Sequence, residues 1–194
     1  MIAVMRGSPP DVRAAEFEIE YEDVFHLKNL YKRIYDWFIS EGWRAADTGE
    51  PKDFEVLYSD RTRGEATEHH MWWRAYKDQS RFIRYFLKVD IQTLNMRKTE
   101  VIHKGHKFGT NRGDVIIRVV SYVQIDYNNE WEKHPVLKYF KDIFRRRMYL
   151  DNIQKEKRDL YLSTYRLHTT IKQYLQFKPT TQDWGRSFHP EKGI

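Results

Sequence analysis

Between Arg81 and Leu94 the chain alternates. Ile83, Tyr85, Leu87, Val89 and Ile91 fall on one side, and Arg84, Lys88, Asp90 and Gln92 on the other. Successive side chains of a strand point to opposite faces, so this stretch predicts a long antiparallel strand with one dry face and one wet face. A second alternation, Glu16 to Tyr21, sets Glu16, Glu18 and Glu20 against Phe17, Ile19 and Tyr21. A row of glutamates favours cations across a strand pair, and the outward Arg84 and Lys88 are the expected partners.

The period then changes. Val24, Leu27, Tyr31, Ile34 and Phe38 recur every three or four residues behind Glu22 and Asp23, with Gly42 as the stop. Acidic residues suit a helix N-terminus, so a helix packed on the sheet is expected here. After a polar loop over 44–53, strands are expected at Phe54–Tyr58 and Thr67–Lys77, with a turn over Asp60–Gly64. Further strands are expected at Thr99–Lys104 and Asp114–Asp126, around a hairpin tip bounded by Gly105 and Gly113.

From Val136 to Lys178 there is neither Gly nor Pro, and Pro135 suits a first helical turn. Leu137, Phe140, Phe144 and Met148 make one apolar stripe, and Leu160, Leu167, Ile171 and Tyr174 another. The interval Asp151–Asp159 holds one apolar residue, Ile153. The segment reads as two helices, or as one helix roughly 60 Å long whose middle overhangs the sheet. These elements predict an α+β fold: one curved antiparallel sheet of about five to six strands against an N-terminal helix and a long C-terminal helix. Residues 1–14 are expected as a flexible lead, 15–178 as a single domain and 179–194 as an irregular tail. The order of elements resembles the helix-grip arrangement of START-like domains. That resemblance lies in element order and brings no function with it.

Composition narrows the class. The 194 residues include 6 Trp, 13 Tyr and 11 Phe, enough aromatic surface for a substantial core, and no Cys, which excludes disulfides and thiolate metal sites. The opening residues are too short an apolar run for a signal sequence, and a cytoplasmic location is expected. The net charge is +6, with residues 1–59 carrying 7 Lys or Arg against 12 Asp or Glu, residues 60–118 carrying 13 against 7 and residues 119–194 carrying 14 against 9. A basic face for an anionic partner is one reading, and an acidic segment folded against the basic ones, with no partner implied, is the other.

Catalytic patterns are missing from the sequence: it has no Gly-x-Ser-x-Gly elbow, no phosphate-binding glycine loop and no zinc spacing. Glu68, His70, His103 and His106 match no metal motif, so neither metal nor cofactor is assigned. The hairpin is the best local candidate. Lys104, His106, Lys107 and Arg112 surround Phe108 with no acid among them, and cations with an exposed ring suit phosphates and bases. Arg145, Arg146 and Arg147 form the densest basic run. Trp72, Phe82 and Phe86 fall on the wet sheet face, where they either stack bases or lie beneath another element or chain.

These features point to a non-enzymatic basic binding or scaffold module whose partner is RNA, a ribonucleoprotein or another protein chain. Protein contact or self-association would use the Trp72, Phe82 and Phe86 face, the long C-terminal helix, or Trp184 and Phe188 of the tail. Two alternatives are a helix-grip protein holding an apolar small ligand and a self-assembling structural protein.

Overall fold

The computed structural model describes residues 11–103, 106–128 and 150–176. Six strands form one antiparallel sheet: β1 (Val12–Phe25), β2 (Arg44–Ala45), β3 (Glu55–Arg63), β4 (Ala66–Asp78), β5 (Ile83–His103) and β6 (His106–Ile125). Two helices accompany it, α1 (Leu27–Ser40) and α2 (Leu150–Gln176). The sheet runs β1-β6-β5-β4, and β2 and β3 pair with successive stretches of β4. The expected α+β class with a single antiparallel sheet is therefore what the chain forms. No described helix is long and apolar enough to cross a membrane.

The dry face of β5 becomes the core face of the sheet. Leu87 and Val89 are fully buried there, and so are Val115, Ile117 and Val119 of β6. Leu30, Ile34, Trp37 and Phe38 of α1 are buried in the same core. So are Leu160, Leu167 and Ile171 of α2, which join Ile117 and Val119 in one continuous cluster. Tyr174 ties the two helices to one end of the sheet by donating to the His26 carbonyl at 2.9 Å.

Several boundaries differ from the sequence reading. The helix begins at Leu27 rather than near Val24, because β1 stays paired with β6 through Val24 opposite Arg112 and Phe25 opposite Asn111. His26 then caps α1, its Nδ1 accepting the Asn29 N–H at 3.3 Å. Strand β3 continues through the expected Asp60–Gly64 turn as far as Arg63, and the reversal falls at Gly64, whose φ is +62°. The charged interval Asp151–Asp159 is helical and does not stand clear of the sheet. Ile153 is buried, and Tyr85 Oη donates to Glu156 at 2.5 Å. Whether α2 continues back through 136–149 lies outside the described residues.

The glutamate row also finds a different partner. β1 pairs with β6, not with β5, so Glu18 meets Arg118 at 2.5 Å. Arg84 is held by Asp78 at 2.6 Å between the rings of Tyr76 and Tyr127. Lys88 lies over Phe86 and Tyr122.

The largest revision concerns β5 and β6. The two strands expected at Arg81–Leu94 and Thr99–Lys104 are one strand, interrupted by a bulge between Leu94 and Arg97. Asn95 absorbs the extra residue with φ of 53°. The bulge turns backbone towards β6 at Gly113, where a Cβ would stand 2.8 Å from the Leu94 carbonyl oxygen and 2.8 Å from Met96 Sδ. Met96 can turn away, but the carbonyl is fixed by the bulge. Gly113→Ala is therefore expected to destabilise the protein by about 1–3 kcal/mol, the usual cost of overpacking. Gly109→Ala, which meets nothing within 4 Å, should change the unfolding midpoint little in the same thermal denaturation.

Candidate functional site

The register of β5 and β6 rearranges the hairpin candidates. Because β6 begins at His106, Lys107, Phe108 and Arg112 stand along a strand and not around a loop tip. Beyond Thr67 opposite Met96 the β4 pairing ends, and beyond Phe25 opposite Asn111 the β1 pairing ends. The remainder of β5 and β6 projects as a two-stranded arm. Alternation splits its side chains: Arg97, Thr99, Val101, Phe108 and Thr110, with Arg112 at the base of the arm opposite Val24 of β1, share the face away from the helices, while Lys98, Glu100 and Lys107 share the helix side. Lys107 is bound to Glu100 at 3.4 Å and is not left for a ligand. Phe108 is half-buried opposite Val101. Lys104, the His106 side chain and Arg145, Arg146 and Arg147 lie outside the described residues.

Register creates one feature that no local reading shows. Arg97 and Arg112 are directly opposed across the strand pair, and both are exposed. Neither forms an ion pair among the described residues. Like charges in that position are unfavourable. Arg61 and Arg63 of β3 occupy the same outer face on the neighbouring hairpin, with Arg61 opposite Glu68. Four arginines thus gather at one end of the sheet. Sequence reasoning missed Arg97 because it was placed between two strands. The signal that would have found it is the pairing of His103 with His106, which fixes the arm's register.

The wet aromatics separate into covered and open. Phe86 is 3% exposed, set between its cross-strand neighbours Tyr76 and Tyr122. Phe82 is partly buried against the core. Trp72 is 45% exposed, flanked by Leu57 across β3 and by Asp90 across β5. The Arg74 guanidinium lies 5.8 Å from the Trp72 ring and binds Asp90 at 2.6 Å. The one acid beside the tryptophan is therefore neutralised.

The histidines do not converge. His70 faces outward opposite Gln92, whereas His69 faces the helices. His69 Nδ1 is 2.7 Å from Oγ1 of Thr93, a fully buried hydroxyl. Among the described residues no three His, Asp or Glu side chains gather as metal ligands. Tyr31 Oη donates to Glu55 at 3.2 Å, and burial first, then that carboxylate, pushes the phenol well above its usual range.

Burial lowers the pKa of His26, His69 and His168 below the ordinary 6.5. A depressed folded value means the unfolded chain takes up protons first, so stability is present above pH 6.5 and declines as pH falls below it. Burial raises Tyr31, Tyr85 and Tyr174 above 10, so stability should also decline as pH climbs past 10. Denaturation midpoints measured from pH 5 to 11 should trace a plateau with both shoulders. A flat acid limb would show that the three imidazoles are solvated.

Compared with protein-family models and with curated protein sequences, the chain matches none significantly.

Proposed function

We propose that the protein is a helix-grip-like domain, its sheet curving around the helices, acting as a non-enzymatic binding module for RNA. The outer face of the β5–β6 arm and its base, where Arg112 still pairs with β1, is the contact surface. The observation carrying this reading is the opposed pair Arg97 and Arg112, which no acid among the described residues neutralises. An arrangement that works against the fold has a physical reason to persist if a polyanion neutralises it. Arginine forks match phosphate oxygens in two-point contacts, and Arg61 and Arg63 extend the positive surface on the same side. The apolar-ligand alternative draws no such support, since Leu160, Leu167 and Ile171 pack into one cluster with the sheet residues beneath them.

The test is RNA binding by the double variant Arg97→Gln/Arg112→Gln. At low salt its affinity for a generic oligoribonucleotide is expected to fall about tenfold or more. The slope of log affinity against log salt should flatten by about 1.4, roughly 0.7 for each lost contact to a single strand. Its thermal midpoint should stay level or rise, because a repulsive pair has been removed. Lys107→Gln, which removes a cation already bound to Glu100, should matter much less. Salt-independent binding by the wild type, or an unchanged double variant, would overturn the proposal.

A further inference from the structure

We infer that the RNA is held as a single strand, with one unstacked base on Trp72 and the following phosphates led along β4 and β5 to Arg97 and Arg112. This inference rests on the binding function proposed above and adds the form of the nucleic acid and the path it takes.

Trp72 is the open aromatic ring of the outer face, and an indole partly covered by a guanidinium is a good stacking surface for any base. Inside a duplex the face of each base is occupied by its neighbours, so only an unpaired strand can use the ring. Trp72 stands opposite Asp90, and Arg97 lies further along the same strand beyond the bulge. At ~3.3 Å per residue the two are roughly 20 Å apart, a span for a short oligonucleotide. The side chains between them on this track are His70 and Glu68 of β4 and Gln92 and Leu94 of β5. Glu20 and Glu22 lie on β1 and Asp114 stands between Glu22 and Leu94, so a polyanion is repelled from the β1 side of the track. Arg61 stands opposite Glu68 and offsets the carboxylate on this route, so charge favours the path from the tryptophan along β4 and β5 to the arginine pair over the β1 side of the face.

The experiment compares one octaribonucleotide, free and annealed to its complement, against the wild type, Trp72→Ala, Trp72→Phe and the Arg97→Gln/Arg112→Gln variant. The free strand should bind the wild type at least about tenfold more tightly than the duplex. Trp72→Ala should lose roughly 5- to 100-fold for the free strand, the range set by stacking of one base, without changing the salt slope. Trp72→Phe should keep most of the affinity. The quenching of tryptophan fluorescence by the free strand should be lost in both Trp72 variants. Equal affinity for strand and duplex, or a Trp72→Ala protein that binds normally while the arginine variant does not, would overturn the single-strand path and leave the charged surface standing. Failure of both RNA forms to bind the wild type would remove both proposals.

Discussion

Trp73→Ala is expected to cost about 3–5 kcal/mol, whereas Trp72→Ala, one residue away, should alter stability by no more than about 0.5 kcal/mol. Strand β4 turns the two indoles to opposite faces. Trp73 is fully buried, and the rings of Tyr31, Tyr35 and Phe38 from α1 meet it edge-on at 4.6, 6.4 and 5.6 Å between centroids. Phe54 stacks beside it at 6.4 Å. Such contacts add to the burial itself, and the ring is the common neighbour of α1 and the segment leading into β3. Its indole N–H finds no hydrogen-bond partner among the described residues, so truncation relieves one unsatisfied donor and returns a small part of the loss. Chemical denaturation of the two variants reads the difference directly. Similar losses for both would show that Trp72 is packed and not open, and would weaken the stacking platform with it.

Local alternation made the faces of β5 legible. The residues read as dry, from Ile83 to Ile91, are buried towards the helices, and the same rule placed Phe17 and Ile19 correctly. What alternation does not carry is pairing between distant strands. Nothing near Glu18 says that Arg118, one hundred residues on, will stand across from it and not Arg84. Glycine misled for a related reason. Gly109 and Gly113 read as loop residues, yet both lie within β6, where Gly113 makes room for backbone displaced by a bulge in another strand. The bulge itself is invisible locally, because its positive φ falls on Asn95 and not on a glycine. The candidate site inherited these limits. Arg112 was identified by its charge, but the pair it forms with Arg97 exists only once register is known. Lys107, equally prominent in the sequence, is bound by a glutamate that the hairpin brings to its side.

Removing the side chain of Leu167 is expected to destabilise the protein by about 2–5 kcal/mol, and it tests how α2 is held. This helix carries few apolar residues, and those that are buried recur along one narrow line: Ile153, Leu160, Leu167, Ile171 and Leu175. Leu167 lies near the middle of that line and is fully buried, so a cavity there cannot be filled from a frayed end. Among the described residues the polar ties to the helix are Tyr85 to Glu156, Tyr174 to the His26 carbonyl and Arg166 to Glu41 at 3.3 Å. Net hydrogen bonds of roughly 1 kcal/mol each, and a surface ion pair worth less, cannot replace the lost core contact. Leu162→Ala is the comparison, since that side chain is 52% exposed on the opposite side of the same helix and should change stability little. In hydrogen exchange, Leu167→Ala should speed exchange along α2 before the β5 and β6 amides, because the sheet keeps its own ladder when the helix loosens. Loss of protection in sheet and helix together would mean that α2 and the sheet unfold as one unit.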